Sequence, residues 1–322
     1  MKAYVYGANG AEITDVEKPT PKGTQVLVRV RACGLNRADL GMTKGHVHGS
    51  AGGAGTVLGM EWSGEVAELG PDAKGVKVGD KVMGSGGAAF AEYTLADHGR
   101  LFRSPSNMNF DEAATLPIAI TTMHNAVVTN GALQAGQTVL IQGASSGVGL
   151  MAMQIAKLKG ASLVVGSSTD ASRRSRLKEY GADLAIDSSD PAWVEQVLKA
   201  TDGKGVDLIV DQVSGKVANQ NLAATKVKGR IVNVGRLGGT HADFNFDLHA
   251  ARRISYIGVT FRTRSIDEIR EIFDEVRKDI WSAVEARKLQ LPIDRVYGFD
   301  DIGDAFAHME ANKHLGKIVV TL

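Results

Sequence analysis

An apolar strand, a turn of small residues and a helix start follow one another without interruption in TVLIQGASSGVGLMAMQIAKLKG, residues 138–160. A turn with so little side-chain bulk lets backbone N–H groups press against a pyrophosphate. The helix that opens there aims its positive dipole end at the same place. Read as GxGxxG, the turn gives Ala144, Ser146 and Gly149, with Gly143 and Gly147 beside them. Small residues thus replace two of the three glycines, and a tight strand–helix turn without ligand has a similar look. Context favours a dinucleotide site, because the turn follows a strand, opens a helix and starts a βαβ unit of about 30 residues. The contacts expected are from Ala144, Ser145, Ser146, Gly147, Val148 and Gly149.

The next strand separates the two nicotinamide cofactors. NAD sites carry an Asp or Glu about 20 residues beyond the glycines, where it accepts hydrogen bonds from the ribose 2′-hydroxyl. Here the position is Ser167–Ser168, in VVGSSTDASRRSR. A carboxylate would repel a 2′-phosphate, whereas two hydroxyls would not. Arg173 and Arg174 follow within a helical turn, and guanidinium geometry suits a phosphate. The expected cofactor is NADPH, with Ser167, Ser168 and Arg173 as its 2′-phosphate contacts. Asp170 is the residue that a loop rearrangement would bring to the ribose of NADH.

Around this segment the patterning changes once along the chain. Residues 1–100 alternate strand-like runs (26–32, 64–69, 81–83) with glycine turns, which predicts a mostly antiparallel β module. The glycine-rich stretch 41–55 reads as an unpatterned, mobile loop. A helix is expected over 111–127. Beyond it, short β-branched strands at 138–142, 162–166, 206–210, 229–234 and 254–259 alternate with helices, which means a doubly wound parallel sheet. A helix over 266–287 and a strand over 317–322 close the sequence and return to the first module. The expected division is 1–122 with 262–322 for the β module, and 123–261 for the cofactor domain.

Composition excludes other classes. Among 322 residues the formal charge is only +1 and no basic stripe interleaves with aromatics, so nucleic acid is not an expected partner. No apolar run approaches the roughly 20 residues of a membrane span. The opening MKAYVYGANG lacks the basic and apolar regions of a signal peptide, which makes the cytoplasm the expected location. A single cysteine, Cys33, rules out an internal disulfide and a multi-cysteine zinc site.

From end to end the chain resembles the zinc-independent quinone oxidoreductase group of the medium-chain dehydrogenase/reductase superfamily. The resemblance rests on ACGLNRAD at 32–39, VLGMEWSGEV at 57–66, GVKVGDKV at 75–82, QGASSGVGL at 142–150, GVDLIVDQVSG at 205–215, GRIVNVG at 229–235 and HLGKIVV at 314–320. It implies an α/β chain in which a GroES-like β-barrel catalytic domain is interrupted by a Rossmann cofactor domain, with the active site in the cleft between them. It also implies a homodimer, formed through an edge strand of the Rossmann sheet. Aligned on the glycines, the zinc-ligand positions of metal-using relatives hold Asn36 and Met60, a poor and a soft, weak ligand, so no metal is expected.

Without such a Lewis acid, the chemistry that remains is hydride transfer from reduced nicotinamide to a quinone or an α,β-unsaturated carbonyl. Asn36 matches the group's active-site asparagine, whose amide would hold the nicotinamide ribose or the substrate carbonyl, and Thr121 would lie near the nicotinamide. Backbone contacts are implied from Gly235, Arg236 and Phe261, and Lys317 would approach the cofactor phosphates. The tyrosines that many members carry after the asparagine and after the second Rossmann strand are missing, which leaves His46, His48 or water as proton donor. Reduction of a 2-enoyl thioester or a haloacrylate stands as an alternative, and a nucleotide sensor without turnover as a third.

Overall fold

The computed structural model describes residues 1–49 and 51–322, and the chain divides into two compact units. One is Met1–Thr121 with Phe261–Leu322, the other Thr122–Thr260.

The first unit is organised by the strand Gln25–Gly34, whose valines Val26, Val28 and Val30 are buried while Arg29 faces solvent. One edge pairs antiparallel with Glu61–Leu69; the other is shared by Tyr93–Asp97 and Lys317–Thr321. Register shifts at Leu27/Val28 and Val30/Ala32 add the local twist that curls a sheet toward a barrel. Lys81–Ser85 and Leu101–Arg103 continue beyond Glu61–Leu69, and Ile293–Gly298 lies parallel to Lys317–Thr321, completing seven strands among the described residues. The enclosed core is built on Trp62, Phe90, Leu58, Met42 and Phe306.

The glycine-rich stretch departs from expectation. Helix Arg37–Met42 runs into it, and Val47–His48 pairs with Ala51–Gly52 as a small hairpin, with Ser50 outside the described residues. Two of its glycines, Gly45 and Gly52, are close-contact residues: a Cβ on Gly45, where φ is +84°, would sit 2.6 Å from the Tyr6 hydroxyl. The helix expected over 111–127 is also divided, into Phe110–Ala113, Pro117–His124 and a π turn at Asn125–Asn130. Proline cannot donate within a helix interior, so the second piece starts on Pro117. The helix expected over 266–287 breaks at Ile280, where φ is −127°, giving Ile266–Asp279 and Trp281–Glu285.

In the second unit, six strands lie in one parallel sheet among the described residues: Thr138–Gln142, Leu163–Ser167, Leu184–Ile186, Val206–Asp211, Thr225–Asn233 and Ser255–Gly258. Numbered along the unit, their spatial order is three-two-one-four-five-six. The order reverses at the first strand, and in doubly wound sheets ligands bind outside the strand ends at that switch point. Leu140, Val165, Ile209, Ile231 and Trp193 fill one core cluster of this sheet. Helix Gly147–Leu158 leaves the first strand and buries Leu150, Met151, Met153 and Ile155. No helix among the described residues is long and apolar enough to cross a membrane.

Gly149 fixes how closely that helix leaves its strand. A Cβ there would stand 2.6 Å from both Ala144 Cα and the Gly143 carbonyl oxygen, closer than real contacts allow. Gly149→Ala is therefore expected to destabilise the protein by about 1–3 kcal/mol, as overpacking does. Thermal unfolding followed by circular dichroism will register this as a lowered Tm.

Candidate functional site

The turn 143–149 leaves the first strand with Gly143 at φ +73°. Ser146 caps the helix, its Oγ accepting the Gly149 N–H at 3.1 Å. No acceptor among the described residues meets the N–H groups of Ser145, Gly147 or Val148. Donors of this kind at a helix start, reinforced by the dipole, form an anion cradle. A second unpartnered donor lies alongside: Gln212 is buried, its Oε1 takes the Ser146 hydroxyl at 2.9 Å, and its Nε2 has no partner.

Below the turn runs a buried chain of hydrogen bonds that sequence reading missed. Ser167 Oγ accepts the Gly143 N–H at 3.1 Å and donates to Gln142 Oε1 at 2.6 Å. Gln142 Nε2 donates to Asn221 Oδ1 at 2.9 Å, and Asn221 Nδ2 to Asp211 Oδ2 at 3.0 Å. The other Asp211 oxygen accepts the N–H groups of Val213 and Ser214. Burial pushes the Asp211 carboxyl above its usual range, against the pull of these donors. Ser167, expected at the ribose, is therefore committed beneath the turn. The signal was available in the polar Gln142 and Asp211, each following a run of three apolar residues at the end of its strand.

Ser168 lies nearer the surface, donating through Oγ to Ser145 Oγ at 3.0 Å. Arg174 braces this serine from outside, donating to its carbonyl at 2.8 Å and to Asp187 at 3.0 Å. Arg173 is the less engaged of the pair. Its side chain is 15% exposed, and its Nε makes no hydrogen bond, facing Asp170 Oδ1 in a long ion pair at 3.7 Å. Asp170 meanwhile caps the following helix by accepting the Arg173 N–H, which holds its carboxyl below the usual range. Gly235 follows the fifth strand so tightly that a Cβ would stand 2.6 Å from the Gln212 carbonyl oxygen, while Arg236 is exposed.

In the first unit the residues around Asn36 form a buried polar cluster. Lys317, 5% exposed, places Nζ 2.5 Å from Glu61 Oε2 and 2.9 Å from Asn36 Oδ1. Asn36 Nδ2 donates to Glu61 Oε2 at 3.1 Å and to the Gly34 carbonyl at 3.2 Å. Glu61 Oε1 accepts the Ile118 N–H at 2.6 Å. Asp39, at the start of the next helix, accepts the Asn36 N–H at 2.8 Å, and its second oxygen is buried without a partner. Burial pushes the Asp39 carboxyl up to about 7, against the pull of the Asn36 N–H and the Lys317 charge. Lys317 is thus not offered to cofactor phosphates, because its ammonium belongs to Glu61 and Asn36.

Two further expectations change with the geometry. Thr121 is buried, and its hydroxyl donates back to the Pro117 carbonyl at 2.6 Å, so its proton is held by its own helix. His48 is half-buried, and burial together with the Arg262 charge holds its imidazole below the usual range. It is therefore harder to protonate than an ordinary imidazole, which weakens it as an acid proton donor. Phe261 opens the returning part of the first unit, with the Arg264 guanidinium 5.9 Å from its ring centre.

The polar cluster does not suit a zinc ion. A lysine ammonium already stands among the oxygens of Glu61 and Asn36, and a dication there would be repelled by it. No three His, Cys, Asp or Glu side chains converge on a metal position among the described residues.

Comparison with known proteins agrees with this architecture. Residues 22–106 match the alcohol dehydrogenase GroES-like domain and residues 147–278 the zinc-binding dehydrogenase domain. The chain is 30% identical to quinone oxidoreductase-like protein 2 of Bos taurus, over 95% of this chain and 88% of that protein. It is also 30% identical to a phenolphthiocerol/phthiocerol polyketide synthase of Mycobacterium tuberculosis, over 96% of this chain but only 14% of that protein's length. Among solved structures, the CurK enoyl reductase matches with a TM-score of 0.88 and 26% identity, covering 99% of both chains. The first unit is GroES-like and the second Rossmann-like, as the sequence resemblance implied.

Asp39 gives stability a defined pH dependence. Its folded-state pKa of about 7 lies above the ~3.9 of an unfolded chain, so the native state binds the proton more tightly. This contribution is fully present below about pH 4 and is lost as pH rises through 7. Asp39→Asn removes that loss while keeping an oxygen for the Asn36 N–H. Urea midpoints of variant and parent are expected to move apart in the variant's favour between pH 5 and pH 8.

Proposed function

Because the chain belongs to the quinone oxidoreductase type of the medium-chain dehydrogenase/reductase superfamily, we propose that it reduces a quinone or an α,β-unsaturated carbonyl with NADPH. Bound NADPH supplies the hydride, and the chain's own groups bind and orient. The N–H groups of Ser145, Gly147 and Val148, together with Gln212 Nε2, hold the pyrophosphate at the start of helix Gly147–Leu158. Gly235 lets the backbone after the fifth strand approach Gln212 closely, which keeps this rim narrow.

The observation that carries the cofactor choice is Arg173. Its Nε is buried without a hydrogen bond, Asp170 standing 3.7 Å away, and it lies five residues past Ser168, where an NAD-selective chain would carry an acid. A 2′-phosphate would supply the short charge-assisted hydrogen bond that Asp170, at 3.7 Å, does not. The acceptor is read as small. Lys44, the one cation in the stretch 41–55, is bound to Glu310 and is not offered to the phosphates of a bulky thioester. The named enoyl reductase and polyketide synthase relatives favour a second reading, a 2-enoyl thioester. The strand Ser255–Gly258 is the edge of the parallel sheet and leaves Tyr256 exposed, which supports pairing of two copies there.

Adding a quinone, an enone or an enoyl thioester to protein and NADPH is expected to lower absorbance at 340 nm, fastest with one of the first two. Arg173→Ala is expected to cut kcat/KM for NADPH by about 10- to 100-fold, the equivalent of one charge-assisted hydrogen bond, and to spare NADH. A parent enzyme with higher kcat/KM for NADH than for NADPH would overturn the cofactor assignment. Tight NADPH binding without turnover on any acceptor would make the protein a nucleotide sensor.

A further inference from the structure

Three side chains of the first unit meet beside its edge strand, Ile293–Gly298, in an order that has chemical meaning. The Tyr297 hydroxyl lies 3.0 Å from His308 Nδ1, and His308 Nε2 lies 3.2 Å from Asp294 Oδ2. An ionised carboxylate only accepts, so it draws the proton of the neutral ring to Nε2 and leaves Nδ1 bare. The donor at Nδ1 is then the Tyr297 O–H, aimed at a base. Asp294 is itself held, its other oxygen accepting the Leu315 N–H at 3.2 Å. A nucleophile, its base and the acid that orients the base thus follow one another.

The strand is bent to allow this. Residues three apart on a strand point to opposite faces. Here the register against Lys317–Thr321 slips between Ile293 and Arg295, with Asp294 as the extra residue. Such a bulge re-aims a side chain, and Asp294 and Tyr297 reach one imidazole. The surroundings favour the state in which the proton has moved to His308. Asp294 stands beside the ring, and His308 occupies the last turn of helix Ile302–Glu310, where the dipole favours a cation. The Arg295 guanidinium, 5.9 Å from the centre of the Tyr297 ring, favours a phenolate. The His314 ring also meets His308, edge-on at 5.9 Å. Tyr297 backs onto the core and is part-buried, which fixes its ring while leaving the strand's open side for a reagent.

We infer that Tyr297 is a base-activated nucleophile, with His308 as its base and Asp294 as a positioning residue, and that it takes an acyl group from an activated ester or thioester. The Tyr297 oxygen bonds to the acyl carbon, and the carbon–oxygen or carbon–sulfur bond of the donor breaks. The phenol proton passes through His308 to the departing alcohol or thiol, and nothing is oxidised or reduced. A phosphoryl donor is disfavoured, because its charge would meet Asp294 and Asp301, whose carboxylate lies against Gly298. This acylation stands apart from the reduction proposed above and needs no nicotinamide.

The test treats the full chain and the variants Tyr297→Phe, His308→Gln and Asp294→Asn with p-nitrophenyl acetate near neutral pH. Acid quenching and peptide mass spectrometry locate the acetyl groups, and circular dichroism checks that each variant is folded. Free N-acetyltyrosinamide in the same solution is the reference phenol. In the parent, Tyr297 is expected to acetylate about tenfold faster than this reference or more, although it is part-buried. His308→Gln keeps an acceptor for the phenol but no base, and is expected to bring the rate down to the reference or below it. Asp294→Asn is expected to slow the reaction several-fold by releasing the tautomer. A parent whose Tyr297 reacts no faster than the free phenol would overturn the inference, as would an undiminished rate in folded His308→Gln. If His308→Gln does not fold, Asp294→Asn decides at a partly exposed acid, and an unchanged rate there overturns the inference too.

Discussion

A lysine ammonium and a glutamate carboxylate, 256 residues apart in sequence, meet inside the first unit at 2.5 Å. Taking both charges out of water is expensive, and attraction alone rarely offsets it. Here the remaining valences are filled as well. Glu61 receives the Ile118 N–H and one from Asn36, and Lys317 donates to Asn36. Four separate pieces of chain thereby converge: the end of the long strand at Gly34, the start of Glu61–Leu69, the helix that opens at Pro117, and the strand that opens at Lys317. Removing one charge of such a pair costs about 3–5 kcal/mol, because it strands the other. Asp39 feels the same low-dielectric surroundings and holds its proton to near neutrality.

The second unit solves a similar problem with almost no charge. Ser167, Gln142 and Asn221 pass hydrogen bonds from the Gly143 N–H down to Asp211, crossing three adjacent strands at the end where they meet the turn. Such a network is rigid only if every member is satisfied, and here each side chain has a partner on both sides. Beyond Asp211 the chain turns through Ser214 at φ +57°, an unusual conformation for a residue with a side chain. The Ser214 hydroxyl, donating to the Gly235 carbonyl at 2.6 Å, helps to hold it there. The unpartnered donors of the turn thus rest on a stiff floor.

How much of this was legible in the sequence follows from what each signal measures. Strand, turn and helix at 138–158 were readable because hydrophobic period and glycine placement are local properties. The doubly wound sheet followed from alternation, again a local pattern repeated. Side-chain direction was not readable. Ser167 and Ser168 are neighbours with the same chemistry, yet one faces the core beneath the turn and the other Ser145. Lys317 follows a glycine in the family-like segment HLGKIVV, but its partner Glu61 is set by tertiary pairing that no spacing encodes. In the glycine stretch 41–55 the helix end and the hairpin were hidden for a related reason: Gly45 and Gly52 serve close contact with Tyr6 and Met42, a use that composition does not reveal.

The strand Lys317–Thr321 occupies an interior place in its sheet, between Ile293–Gly298 and Gln25–Gly34. During synthesis it is therefore the missing central slat: the first 121 residues leave the ribosome with one edge of the Gly34 end of their longest strand unpaired, and with Glu61 still without its lysine. The second unit draws only on residues 122–260 and has all its strands in hand before the first can close. Order of emergence and order of completion are thus reversed, and the unit that begins the chain is the last to become dry inside.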